Sequence, residues 1–134
     1  ERRTVSQNRD VVHARMLAEF ITRLKSTKEA DGSSLFEHAT VTLGTNLSSV
    51  HTLHNCPPLV TGGGSGIRLG QHLVMDDPRT PLCNLWLSQL RGSGIAVDQF
   101  GDSTGIIPEL FACSHGDGFG IQISVCCVSR FSRS

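Results

Sequence analysis

Between residues 51 and 110 no apolar run lasts more than a few residues before a glycine, a proline or a polar cluster breaks it. That spacing excludes a coiled coil and leaves short strands and helices joined by loops. The loops are the unusual part. Two histidines, an Asn-Cys-Pro step, three successive glycines and a Phe-Gly-Asp-Ser-Thr-Gly segment stand at the ends of the apolar runs. A domain built only to pack does not need so many polar residues there, so the pattern points to a site-bearing α/β fold.

Element by element, residues 10–25 read as the best helix. Val12, Met16 and Phe20, with Leu17, Ile21 and Leu24, recur every three or four positions and form one broad apolar stripe. Asp10 is the expected cap, and Arg23 and Lys25 suit the negative end of the dipole. Asp31-Gly32 marks a turn. A short segment at residues 35–38 leads into a β-branched strand at 39–43 that Gly44 ends, and a second strand is expected at 59–61. A third is expected within residues 67–75, with Leu69, His72 and Val74 as apolar or half-buried positions. Thr80-Pro81 opens a helix over 80–91, Thr80 as cap and Pro81 in the first turn, with Leu82, Leu85, Trp86 and Leu90 on its inner face. Residues 95–100 read as a linker or short strand. Residues 121–128 are mildly β-like but have no evident partner in the preceding pattern.

The organisation expected is a flexible segment at 1–9, an α/β region at 10–110 and an atypical tail at 111–134. At 134 residues the chain is one domain or part of one. Twelve basic and twelve acidic residues cancel, which removes the electrostatic case for nucleic acid and for a polybasic membrane anchor. No apolar run approaches the ~20 residues that span a bilayer, and no signal peptide is visible in this stretch. Five cysteines without Cys-x-x-Cys spacing make neither a zinc motif nor a full disulfide framework and read as small core residues.

Each polar motif has a functional and a plain reading. His51 and His54 lie three apart in a loop, with His72 beyond the glycines and Asp76 and Asp77 following. These histidines are the candidate ligands of a divalent metal, the only cofactor the residues suggest; the competing reading is hydrogen-bonding loop structure. The run Gly62, Gly63, Gly64, Ser65, Gly66 lacks the Lys-Ser/Thr of a phosphate loop and is better explained as a tight turn leaving a buried strand. Ser103 within Asp102-Ser103-Thr104-Gly105 lacks the strand–elbow–helix setting of a hydrolase nucleophile, and an Asp-anchored turn explains the segment better. Cys56, beside Asn55 and His54, reads as a core thiol because adjacency in sequence does not make a catalytic dyad.

Taken together and in order, these motifs resemble a known family. Met16-Leu17-Ala18 through Thr27, Glu29, Asp31-Gly32 and Leu35 come first. His51, Asn55 and Pro57 follow, then Gly62 to Gly64, Gly70-Gln71-His72, the Thr80-Pro81-Leu82 start with Asn84-Leu85, and finally the segment from Phe100 to Gly105. The pattern resembles the domain-of-unknown-function family 1552, uncharacterised exported bacterial proteins similar to the alkaline phosphatase and sulfatase superfamily. It covers roughly residues 14–110. The chain departs from it in a shorter loop at 44–50, in Pro58, in Thr61 and in residues 111–134, which have no counterpart.

The resemblance implies a partial sheet with flanking helices, like the C-terminal portion of an alkaline phosphatase-like domain. It also implies a periplasmic or extracellular parent that hydrolyses sulfate or phosphate esters with a divalent metal, most of whose ligands lie upstream. The chain alone is then expected to be inactive and to self-associate through an exposed sheet edge. The alternatives are a non-enzymatic surface or binding module on the same fold and a structural remnant. Histidines beside carboxylates in one cleft would favour the hydrolase; scattered histidines and exposed apolar residues would favour binding.

Overall fold

The computed structural model describes residues 2–44, 57–77, 79–111 and 126–129, the last as backbone. The chain is mixed α/β and divides into two compact units, residues 1–37 and 38–134.

In the first unit, helix α1 spans Arg2–Ser26. It begins eight residues before the expected start, so residues 2–9 are helical and Asp10 lies inside the helix instead of capping it. The reason is local: residues 2–26 contain no glycine or proline, so nothing stops a helix once formed. Its last carbonyls are closed by Ser26 Oγ and Thr27 Oγ1, which both donate to the Arg23 carbonyl at 3.0 and 2.8 Å. Of the expected stripe only Leu17, Ile21 and Leu24 are half-buried, while Val12, Met16 and Phe20 are exposed. The Asp31-Gly32 turn forms as read, with the Ser33 N–H donating to Asp31 Oδ1 at 2.9 Å. Lys25 Nζ lies 4.7 Å from the centroid of the Phe36 ring. A one-turn helix, α2, spans Leu35–His38; Ser34 Oγ donates to Glu37 Oε1 across its start at 2.9 Å.

The second unit holds a four-stranded sheet of β1 (Val41–Leu43), β2 (Leu59–Thr61), β3 (His72–Val74) and β4 (Cys126–Ser129). Their order is β1-β2-β4-β3. β1 and β2 pair antiparallel with Thr42 opposite Val60, β2 and β4 antiparallel with Val60 opposite Cys126, and β3 and β4 parallel with Leu73 opposite Val128. The tail thus supplies an inner strand.

The β3 stretch is shorter than its sequence suggests. Ile67 is buried and Leu69 packs on the core, but the Arg68 N–H donates to the Leu110 carbonyl at 2.8 Å and not to a ladder. Within β3 it is Leu73 that faces the core; His72 and Val74 are exposed, opposite to the expected half-burial.

Helix α3 spans Cys83–Gly92. Thr80 does not cap it: its Oγ1 donates to the Asp77 carbonyl at 2.8 Å, and Asn84 and Leu85 close a tight lead-in turn onto the carbonyls of Pro81 and Leu82. Leu85 is fully buried and joins Val60, Ile67, Met75, Ile107 and Leu110 in one core, with Leu82 and Trp86 packed against it. Residues 95–100 are not a strand; the Ile95 N–H returns to the Leu90 carbonyl and Arg91 holds Val97 and Asp98. A single 3-10 turn at Pro108–Leu110 seats Leu110 in the core.

Candidate functional site

The glycine run turns as expected, and the structure shows why glycine is needed. Gly64 donates its N–H to the Ala39 carbonyl at 3.1 Å, and a Cβ there would stand 2.9 Å from the Ala39 carbonyl carbon and collide with the His38 carbonyl oxygen. On its far side the same turn meets α3, where a Cβ on Gly92 would collide with the Ser65 carbonyl. The run is therefore a packing joint between the entry to β1, the exit of β2 and the end of α3. It does not open a helix that could hold phosphate.

The Phe100 to Gly105 segment is likewise fixed from within. Ser103 is buried, its N–H donates to the Phe100 carbonyl at 3.0 Å, and its Oγ accepts the Phe100 N–H at 2.9 Å. Ser103 closes the turn through both its backbone and its hydroxyl. Asp102 itself is exposed. Next in line, Thr104 is held by Asn84 of α3. Asn84 Oδ1 accepts the Thr104 N–H at 2.8 Å, and its Nδ2 donates to Thr104 Oγ1 at 3.1 Å. One turn further along α3, Ser88 Oγ donates to the Asn84 carbonyl at 2.7 Å and accepts the Ile107 N–H at 2.8 Å.

This buried ladder places residues 106–109 across from the end of β3, and a cleft of about 290 Å³ lies between them. Leu73, Met75 and Ile107 contribute apolar lining, and the exposed residues Asp76, Asp77 and Glu109 contribute acidic lining. Asp77 is committed to Arg79, which reaches its two carboxylate oxygens through Nε and Nη2, both at 3.1 Å. Those hydrogen bonds hold the Asp77 carboxyl below its ordinary range and raise Arg79. Asp76 and Glu109 are exposed and have no ion-pair partner among the described residues. A second hollow of about 300 Å³, lined by Trp86, Leu90, Phe100 and Thr40, is mainly apolar.

Of the candidate metal ligands, His51 and His54 lie outside the described residues, as do Asn55 and Cys56. His72 is exposed on β3 and does not line the cleft. Among the described residues no three His, Cys, Asp or Glu side chains stand close enough to hold a metal ion. Nor, among those residues, is any helix long and apolar enough to cross a membrane.

Asn84 stands in the sequence as part of the helix-start motif without an assigned role, and Ser88 and Glu109 are not singled out there at all. A signal for the first two existed: Asn84 and Ser88 are polar residues one turn apart on the face that also carries Leu85. A buried hydrogen-bonding pair accounts for such placement. Glu109 has no comparable signal. No family model, curated protein or solved structure matches the chain.

Proposed function

We propose that this chain is the C-terminal α/β part of an exported bacterial protein of the family its motifs resemble, and that by itself it binds and does not catalyse. The observation that carries the reading is the cleft at the end of β3. Its apolar walls and the carboxylates of Asp76 and Glu109 suit a small ligand with an amine or guanidinium group on an apolar stem. Its about 290 Å³ sits at the low end of small-ligand pockets, roughly 300–1,000 Å³. Ser103, the nearest candidate nucleophile in sequence, is spent on its own turn. The neutral overall charge supports no nucleic-acid role.

The test is a chemical-shift titration of the full chain with agmatine and with its neutral amide analogue. Agmatine is expected to move the Met75, Asp76 and Glu109 amides, and Asp76→Asn with Glu109→Gln is expected to abolish that response. Equal response to the neutral analogue would refute the reading.

A second reading concerns the parent, as a metal-dependent sulfate or phosphate ester hydrolase. What favours it is position: Asp76 and Asp77 follow the carboxyl end of β3 after Met75, near where α/β sheets gather ligands. The described residues do not supply a metal donor set, so no metal-dependent step is assigned to them. His51 and His54 would have to complete one.

A further inference from the structure

We propose that the hollow between α3 and the loop at Phe100 binds a neutral, planar fused-ring aromatic molecule that carries a hydroxyl or ring N–H. It shares no lining residue with the cleft at the end of β3. Trp86, Gln89 and Leu90 come to it from α3, and Ser93 from just past the helix end. Thr40 comes from the approach to β1 and Phe100 from the loop after the helix. At about 300 Å³ the hollow stands at the small end of ligand sites, the scale of one compact ring system. No charged side chain stands among these lining residues, so the molecule it suits is uncharged.

What selects a flat ring is a pair of aromatic side chains on two elements, each held where it stands. Trp86 packs against the core and is half-buried, with the remainder of its surface on the hollow. Phe100 is 45% exposed although its backbone is fixed twice: its N–H donates to Ser103 Oγ and its carbonyl accepts the Ser103 N–H. A ring left in water on so fixed a backbone covers a ligand at little ordering cost. The polar lining says what the ring carries. Gln89 Nε2 is committed, donating to Thr42 Oγ1 at 2.9 Å and tying that wall to β1. Thr40 Oγ1, by contrast, is buried and has no hydrogen-bond partner among the described residues. A hydroxyl or ring N–H on the bound molecule supplies the missing partner.

The test is a chemical-shift titration of the full chain with naphthol, with its methyl ether and with the saturated decahydronaphthol. Trp86 is the single tryptophan of the chain, so its indole N–H reports the hollow without ambiguity. Naphthol is expected to shift that resonance with the Leu90 and Phe100 amides, and to bind at least about fivefold more tightly than decahydronaphthol, the scale of stacking on one or two rings. Phe100→Leu is expected to erase most of that preference, and because Phe100 is nearly half exposed the change leaves the core intact. Thr40→Val keeps the side-chain shape and is expected to bring naphthol down to the affinity of its ether. A decahydronaphthol that binds as tightly as naphthol overturns the proposal, as does an ether that matches naphthol on the unaltered chain. The absence of a saturable shift at Trp86 and Phe100 overturns it too.

Discussion

Asn84 and Thr104, twenty positions apart, satisfy each other twice over: the Asn84 amide oxygen takes the Thr104 backbone N–H while its nitrogen donates to the Thr104 hydroxyl. The helix residue is buried and the loop residue exposed, so the helix reaches out to fix the loop. Asn84→Ala removes both bonds and is expected to destabilise the chain by about 2–3 kcal/mol in urea unfolding, against about 1 kcal/mol for Thr104→Ala. A double-mutant cycle is expected to show the two changes strongly non-additive. Additive losses would mean that the pair does not hold the loop.

Two buried serines are expected to respond with opposite signs. Ser88 Oγ bonds both Asn84 and the buried Ile107, so Ser88→Ala leaves the Ile107 N–H without an acceptor and is expected to cost about 1–3 kcal/mol. Ser65 Oγ has no partner among the described residues although the side chain is buried. Ser65→Ala is therefore expected to leave stability unchanged or raise it by up to about 1 kcal/mol. Chemical denaturation of the two variants side by side gives the answer.

Gly64→Ala and Gly92→Ala each drive a methyl group into backbone, against the 38–39 segment and Ser65 respectively. Both are expected to lower stability by about 1–3 kcal/mol. Gly105→Ala meets nothing within 4 Å and serves as the control. A phosphate site at the glycine run would instead make Gly64→Ala phosphate-sensitive, and thermal shifts with and without phosphate read this directly.

The Asp77–Arg79 pair carries the resolved titration shifts. Asp77 is lowered in the folded chain from an ordinary value of 3.8, so its stabilisation is present above that value and is lost as pH falls through the lower folded pKa. Arg79 is raised and stays charged across the same range. The pair is exposed, so the effect is small and screened by salt. Stability of Asp77→Asn relative to the parent chain is expected to lag at neutral pH in low salt and to converge with it in strong acid. A gap that widened with acid would contradict the geometry.

For the metal reading, His51→Ala, His54→Ala and His72→Ala are to be compared by metal content of the purified, unchelated chain. Because His72 stands outside the cleft, its substitution is expected to leave any bound metal in place. Stoichiometric loss on His51→Ala or His54→Ala would support a hydrolase-type parent; the absence of metal from all chains would favour the binding reading.

Much of this arrangement is legible in the sequence, for identifiable reasons. Leu59–Thr61 is bounded by prolines and glycines, and its expected limits match the strand. The second helix is legible from Leu82, Leu85 and Trp86, but its start shifts because Thr80 turns back to Asp77. Residues 67–71 deceive: their apolar positions are those of the core, yet their backbone bonds run to Leu110 and not to a neighbouring strand. At α1, Asp10 has the chemistry of a cap but lies inside an unbroken run of helix-compatible residues that continues to Arg2, so the boundary is displaced. β4 was the least legible, since pairing with β2 and β3 is a non-local choice that four residues of β-type composition do not announce. At the site, the glycine turn was legible, while Glu109 enters the cleft only through the fold of residues 106–110.

The position of β4 also has a consequence for the order of events during synthesis. β2 and β3 leave the ribosome before α3 and the 108–110 turn, but the strand that unites them is made after all of these. Until it arrives, two ladder edges face each other with nothing between, and β2 is paired on its β1 side alone. The sheet therefore closes late and through distant contacts, the regime of slow folding and exposed edges. A nascent chain of this kind is a natural client for chaperones that shield strand edges.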